Sequence, residues 1–107
     1  MHEQKIYSRF DQILEAKNRF KIVGSGSEER KRFFLIFNYC LNSLKDEYRT
    51  ILNKTYFERD YEYWWLDYYC KSSYYRKRHW AIIAFVRLFE LIYENVNDYS
   101  FNLNFSN

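Results

Sequence analysis

The sequence predicts an all-α protein, a small bundle of about five helices with a long last helix. The 107 residues contain no proline and only two glycines, whereas many-stranded sandwiches and barrels need turns rich in both. Apolar residues also recur at helical intervals over most of the chain. A composition of 48% hydrophobic and 29% charged residues is typical of a globular fold, and the length fits one domain.

The first predicted helix runs from about His2 to Ile22 within an N-terminal segment of residues 1–23. Its apolar positions are spaced for one helix face: Ile6, Phe10, Ile13, Leu14 and Phe20. Residues 24–27, Gly-Ser-Gly-Ser, predict a flexible linker. Ser25 and Glu28 have the spacing of a capping box, which predicts the start of the second helix.

Residues 28–95 form the predicted main helical domain. The second helix carries apolar residues as far as Leu41, and Asn42-Ser43 predicts a break with a new N-cap. The third helix places one set of side chains on a single face: Leu44, Tyr48, Ile51, Leu52 and Tyr56. Both helices therefore have a stripe suited to a shared core.

A helix-turn-helix is predicted at about residues 60–90. Asp60 can cap a short fourth helix reaching Tyr68, and a tight connection then leads to a long fifth helix capped by Ser72 or Ser73 and ending near Tyr93 or Asn95. The inward stripe of the fifth helix comprises Tyr74, Arg78 through its stem, Ala81, Ile82, Phe85, Leu88, Phe89 and Ile92.

The spacing of apolar residues changes in residues 96–107. Tyr99, Phe101, Leu103 and Phe105 alternate with small polar residues, which is a strand pattern. Because one strand alone is not stable, the segment is either a disordered tail or an arm that pairs with another chain. Disorder is the favoured interpretation, from the general behaviour of termini.

Charges are segregated along the chain, although the net charge is only +3. Residues 68–89 contain no acid, and their basic residues gather at the start of the fifth helix. A recognition helix enters the major groove of DNA with this end first. The predicted DNA-contacting residues are Lys71, Ser72, Ser73, Tyr75, Arg76, Lys77 and His79.

Other interpretations remain open at this point. A run of basic residues is more often a solvated helix face than a binding site. Aromatic residues make up 23% of the chain; AT-rich codon usage and core packing are the favoured explanation. A helical protein–protein interaction module, which uses exposed aromatic residues, is the main alternative function. A third is a single-strand binder that stacks bases on tyrosine and tryptophan.

The sequence offers no motif for catalysis, for a cofactor or for a metal. The stretch Gly24–Ser27 lacks the Gly-Lys-Ser/Thr ending of a phosphate-binding loop, and the cysteines and histidines lack zinc-ligand spacing. We therefore expect neither an enzyme nor a small-molecule substrate. The apolar run 81–86 is too short to span a membrane and no signal peptide is visible, which predicts a cytoplasmic protein with reduced, part-buried Cys40 and Cys70.

Two segments resemble a known family. Residues 41–56, LNSLKDEYRTILNKTY, are similar to the opening of sigma-factor region-four-like domains. Residues 70–82, CKSSYYRKRHWAI, followed by Phe85, resemble the recognition helix of phage ArpU-type transcriptional regulators. The chain departs from that pattern at Cys70 and Arg78, where the family has Ser and Lys, in lacking a turn glycine, and in the bulk of Trp64-Trp65.

The resemblance implies a sequence-specific regulator of transcription, of phage or mobile-element origin, that reads the major groove of duplex DNA with the helix starting near Ser72. Position by position, it implies that Lys71, Ser72, Ser73, Tyr75 and Arg76 face DNA, and that Tyr74, Ala81, Ile82 and Phe85 anchor the helix. RNA polymerase is then a further candidate partner. A homodimer is a further candidate, since a lone helix-turn-helix gains affinity from a second copy or from a partner; the sequence does not determine the oligomeric state.

Overall fold

The computed structural model describes residues 3–22 and 28–97. In chain order the elements are α1 (Glu3–Ile22), α2 (Glu28–Ser43), α3 (Asp46–Leu52), a π-helical turn (Asn53–Phe57), a 3-10 turn (Trp64–Asp67) and α4 (Lys71–Asn97). These ranges contain no strand, which confirms the prediction of a small all-α bundle with a long last helix. Helix α4 contacts each of the other three helices and is the centre of the bundle.

The main helix boundaries match the prediction closely. Helix α1 ends at Ile22 and α2 begins at Glu28. Helix α4 begins at Lys71 and extends to Asn97, slightly beyond its predicted end, so the prediction that Ser72 or Ser73 caps it is wrong: both lie within its first turn. The predicted linker 24–27, the capping box of Ser25 and the alternating residues from Tyr99 to Phe105 lie outside the described residues.

The break between α2 and α3 differs from the prediction that Ser43 caps the third helix. Ser43 belongs to the last turn of α2, and its hydroxyl donates to the Tyr39 carbonyl at 2.7 Å. The chain turns at Lys45, whose extended backbone (φ −63°, ψ 155°) precedes α3 without any side-chain cap. Arg49 ties the junction together, because its guanidinium donates to the Asn42 carbonyl at 3.4 Å and pairs with Asp46.

The predicted third helix is α-helical only as far as Leu52 and continues as the π-helical turn. The Glu58 amide donates to the Asn53 carbonyl at 2.7 Å, a bond that spans five residues. The predicted short fourth helix is a single 3-10 turn. Asp60 does not cap it, since its carboxylate accepts from the adjacent Tyr61 amide at 2.8 Å.

Phenylalanine builds the main core. The rings of Phe37 from α2, Phe57 from the π-helical turn and Phe85 from α4 contact one another, with centroids 4.7, 5.4 and 5.5 Å apart. Phe10 adds α1 to the group through an edge contact with Phe85 at 6.2 Å. Every phenylalanine among the described residues is buried or partly buried, so these rings are structural.

The predicted inward stripe of α4 is confirmed. Its residues are buried or partly buried, and Ile83 and Val86 join them because α4 is covered on more than one side. None of the helices in the described ranges has an apolar stretch long enough to cross a bilayer.

We expect Phe85→Ala to lower the free energy of unfolding by about 3–5 kcal/mol, because the ring is fully buried and its removal leaves a cavity among other rings. Urea denaturation followed by circular dichroism measures the change. Leu91→Ala is the matched control on the same helix, since Leu91 is 59% exposed, and its effect should stay within about 0.5 kcal/mol. Equal effects of the two substitutions would contradict this packing.

Candidate nucleic-acid interface

A sharp corner sets the direction of the first turns of α4. The amides of Tyr68 and Tyr69 both donate to the Trp65 carbonyl at 2.9 Å, which ends the 3-10 turn. The Tyr74 amide then donates to the Cys70 carbonyl at 2.9 Å and opens α4. Only residues 68–70 separate the two elements, so the corner has the layout of the predicted turn, with a 3-10 turn in place of the supporting helix.

A second, smaller core lies beneath this corner, and Tyr74 is its centre. Trp65 stacks on the Tyr74 ring with centroids 4.4 Å apart and planes only 4° from parallel, while Trp64 meets the same ring edge-on at 5.9 Å. The Thr55 hydroxyl bonds the Tyr74 hydroxyl at 2.7 Å and accepts from Trp64 Nε1 at 3.3 Å. Ile51 completes this cluster. The bulky tryptophans therefore fix the corner by packing.

A polar clamp holds the other side of the corner. Glu47 on α3 accepts one hydrogen bond from the Tyr69 hydroxyl at 2.8 Å and another from Lys77 Nζ on α4 at 3.1 Å. These two bonds, that from Tyr69 first, lower the pKa of Glu47. Burial and the Glu47 carboxylate raise the pKa of Tyr69 to about 12. Lys77 therefore lies in an intramolecular ion pair.

His79 and Tyr75, two more of the predicted DNA-contacting residues, also have partners within the protein. His79 Nδ1 is hydrogen-bonded to the Tyr7 hydroxyl, which joins α4 to α1. Tyr75 is 40% exposed, and the Arg78 guanidinium lies 4.5 Å from the centre of its ring. His79 thus helps to position α4 against α1, and the Tyr75 ring, 6.0 Å from the ring of Trp65, contacts the 3-10 turn.

Besides Tyr75, three of the predicted residues are exposed. Lys71, Ser72 and Arg76 are exposed, whereas Ser73 is partly buried. Neither Lys71 nor Arg76 belongs to any of the four salt bridges found in the described residues. Both charges face solvent, and Lys71 lies in the first turn of α4, where the backbone dipole disfavours cations.

The sequence reasoning missed Trp80. It is 50% exposed and lies four residues after Arg76, which in turn lies four after Ser72. Side chains spaced by four lie one above the other on a helix, so Ser72, Arg76 and Trp80 form one ridge, and the exposed Arg87 continues it. The four-residue spacing between Arg76 and Trp80 in the sequence was the signal that could have placed Trp80 on this surface. We call Ser72, Arg76, Trp80 and Arg87 the α4 ridge; the exposed Lys71, the first residue of α4, precedes the ridge and lies on a different face of the helix.

The two cysteines have opposite environments. Cys40 is buried in the main core, and burial raises the pKa of its thiol to about 12. Cys70 is exposed just before α4, where the backbone amide of Ser73 and then the Ser72 hydroxyl lower the pKa of its thiol. The prediction of part-buried thiols is therefore wrong for both residues, because Cys40 is buried and Cys70 is exposed.

We expect the Glu47 clamp to stabilise the fold above about pH 4.3, the usual glutamate pKa of an unfolded chain. Because the pKa of Glu47 is lower in the folded protein, this contribution is lost as the pH falls through the folded value. Glu47→Gln should therefore be less stable than the parent protein at pH 7, and the difference should shrink towards pH 3. Urea midpoints at several pH values measure it. For Glu15→Gln, an exposed position on α1, the difference should be small throughout; the same pH trend in both variants would contradict the clamp.

We expect Cys70 to react rapidly with a disulfide reagent such as dithionitrobenzoate, and Cys40 to react only after unfolding, because the thiolate is the reactive form and needs access. Absorbance of the released thiolate counts the thiols. Cys70→Ser should abolish the rapid phase and Cys40→Ser should leave it. A rapid phase that persists in Cys70→Ser would show that the main core opens.

No protein-family model, curated protein or solved structure matches the chain. The resemblance to sigma region-four-like and ArpU-type domains therefore depends on the residues of segments 41–56 and 70–85 themselves. The local geometry of the corner and of the α4 ridge is the basis for any assignment of function.

Proposed function

We propose that this chain is a duplex-DNA-binding regulator of transcription that inserts the leading turns of α4 into the major groove. The observation that carries the proposal is the exposure of Ser72 and Arg76 on the α4 ridge, and of Lys71 just before it, at the start of a long helix whose direction is fixed by the corner. A single α-helix fits the major groove of B-DNA. The family and its phage origin remain part of this proposal.

Electrostatics support a polyanionic partner. A cation in the first turn of a helix opposes the helix dipole at about 0.3–1 kcal/mol. Lys71 lies in the first turn of α4, and neither Lys71 nor Arg76 pairs with a carboxylate among the described residues, whereas the neighbouring Lys77 is neutralised by Glu47 at 3.1 Å. Phosphates can supply the missing negative charge, and the release of their counterions adds affinity.

The contacts divide the predicted residues into two roles. Arg76 is the best candidate to read a base edge, because a guanidinium can form a bidentate pair with guanine. Lys71 and Ser72 are placed to contact phosphates. Lys77 and His79 would position the helix, since their partners lie on α3 and α1, and Tyr75 would do so through its contact with Trp65 of the 3-10 turn.

A protein–protein interaction module is the second candidate, and exposed apolar residues of α2 favour it. Leu35 and Tyr39 are 74% and 61% exposed and are spaced by four, so they form an apolar strip on one face of that helix. This surface would give binding that depends little on salt, in contrast to phosphate contacts.

We expect affinity for a random-sequence duplex, measured by fluorescence anisotropy, to fall steeply with salt, with a log–log slope of about −0.9 for each phosphate contact.

Arg76→Ala should weaken the binding free energy for a preferred sequence, obtained by selection, by about 1–3 kcal/mol. Lys71→Ala should weaken binding to all sequences and reduce the slope by about one.

Arg32→Ala is the matched control, because Arg32 is also exposed but lies on α2, far from the start of α4. The next residue, Phe33, contacts Phe89, which is about five turns along α4 from Lys71. Its binding should equal that of the parent protein. Duplex binding that is absent, insensitive to salt or unchanged in both Arg76→Ala and Lys71→Ala would refute the proposal.

A further inference from the structure

A groove of about 1030 Å³ opens between the second half of α1, the chain from Lys54 to Trp65, and one side of α4. It is separate from the α4 ridge, since none of the ridge residues lines it. The proposed function does not use it. Its volume is at the upper end of the range of about 300–1,000 Å³ found for small-ligand sites.

The α1 wall of the groove carries an unbalanced positive charge. Lys17 is partly buried, and among the described residues its ammonium donates only to the Phe57 carbonyl, at a long 3.5 Å. It takes part in none of the salt bridges found in residues 3–22 and 28–97. Burial first, and then the nearby charge of Lys21, lower the pKa of Lys17, and Glu58 offsets this only in part. An anion at this wall would relieve the repulsion.

The facing wall carries accessible tyrosines, together with the charged side chains of Glu58, Arg59, Asp60 and Glu62. Tyr61 and Tyr63 line the groove with 61% and 52% of their surfaces exposed, and Tyr75 adds a third exposed ring. Arg78 lies over the Tyr75 ring and contributes a further cation to this side. Exposed aromatic rings inside a concave surface are suited to stacking with a flat ligand, and nucleobases stack on such rings with little dependence on base identity.

We propose that this groove binds a nucleotide, with its base against the tyrosine wall and its phosphate at Lys17 and Lys21. A nucleotide combines the two features that the walls require, a flat aromatic system and a negative charge. The shared chemistry is that of one nucleotide unit, either free or as an unpaired residue of a strand. Binding would use α1 and the 54–65 segment, whereas the proposed duplex contact uses the α4 ridge.

Calorimetric titration with AMP, inorganic phosphate and adenosine tests the proposal directly. AMP should bind saturably, and each fragment should bind at least about tenfold more weakly, because it lacks one half of the contacts. Lys17→Met keeps the apolar stem and removes the charge, so it should weaken AMP binding by about 10- to 100-fold. Lys5→Met, at an exposed position of α1 outside the groove, is the matched control and should bind as the parent protein does.

A tyrosine variant and an NMR titration test the two walls of the groove separately. Tyr61→Leu, at an exposed site, should weaken AMP binding and leave phosphate binding unchanged. NMR titration of the Lys17 side chain should show its pKa rising when AMP saturates the protein, as expected for a cation that gains an anionic partner. Arg76→Ala should leave AMP binding intact, so this proposal and the duplex proposal can fail separately.

A penta-deoxyadenylate that binds more tightly than AMP would identify a strand as the source of the nucleotide, and one that binds equally or less tightly would identify the free nucleotide. Absence of saturable AMP binding, AMP affinity no greater than that of phosphate, or equal losses in Lys17→Met and Lys5→Met would overturn the proposal.

Discussion

The contact between Tyr74 and Trp65 is the constraint on which the arrangement of the surface depends. Tyr74 lies in the first turn of α4, and its ring stacks on Trp65 while its hydroxyl bonds Thr55. One side chain thus connects α4 to the 3-10 turn and to the π-helical turn. Because all three elements are joined at the start of α4, the orientation of the helix axis is fixed there. That orientation in turn fixes where the α4 ridge lies on the surface.

The π-helical turn has a clear role in this arrangement. It places Phe57 in the main core and Thr55 at the corner, although the two residues are only two positions apart. The wider turn of a π-helix shifts the register of the residues that follow it. The two cores are therefore linked through one short segment, which also forms a wall of the groove.

The aromatic residues divide by type. The described phenylalanines pack in the interior, which agrees with the favoured interpretation that the aromatic excess is a matter of core packing and composition. Several tyrosines do not follow that interpretation, because Tyr39, Tyr61, Tyr63 and Tyr68 are more than half exposed. Tyrosine can stay at the surface since its hydroxyl is solvated while its ring remains available for stacking.

The sequence by itself determined the helical class, the ends of α1 and α2, the start of α4 and its inward stripe, because these follow from local periodicity and from the absence of proline. It also located the basic cluster at the start of α4. Only the tertiary structure decided which of those cations are paired: Glu47, thirty residues away, neutralises Lys77, whereas no carboxylate in residues 3–22 and 28–97 forms a salt bridge with Lys71 or Arg76. The 3-10 corner and the groove likewise depend on contacts between distant segments, and spacing along one helix carries no information about them.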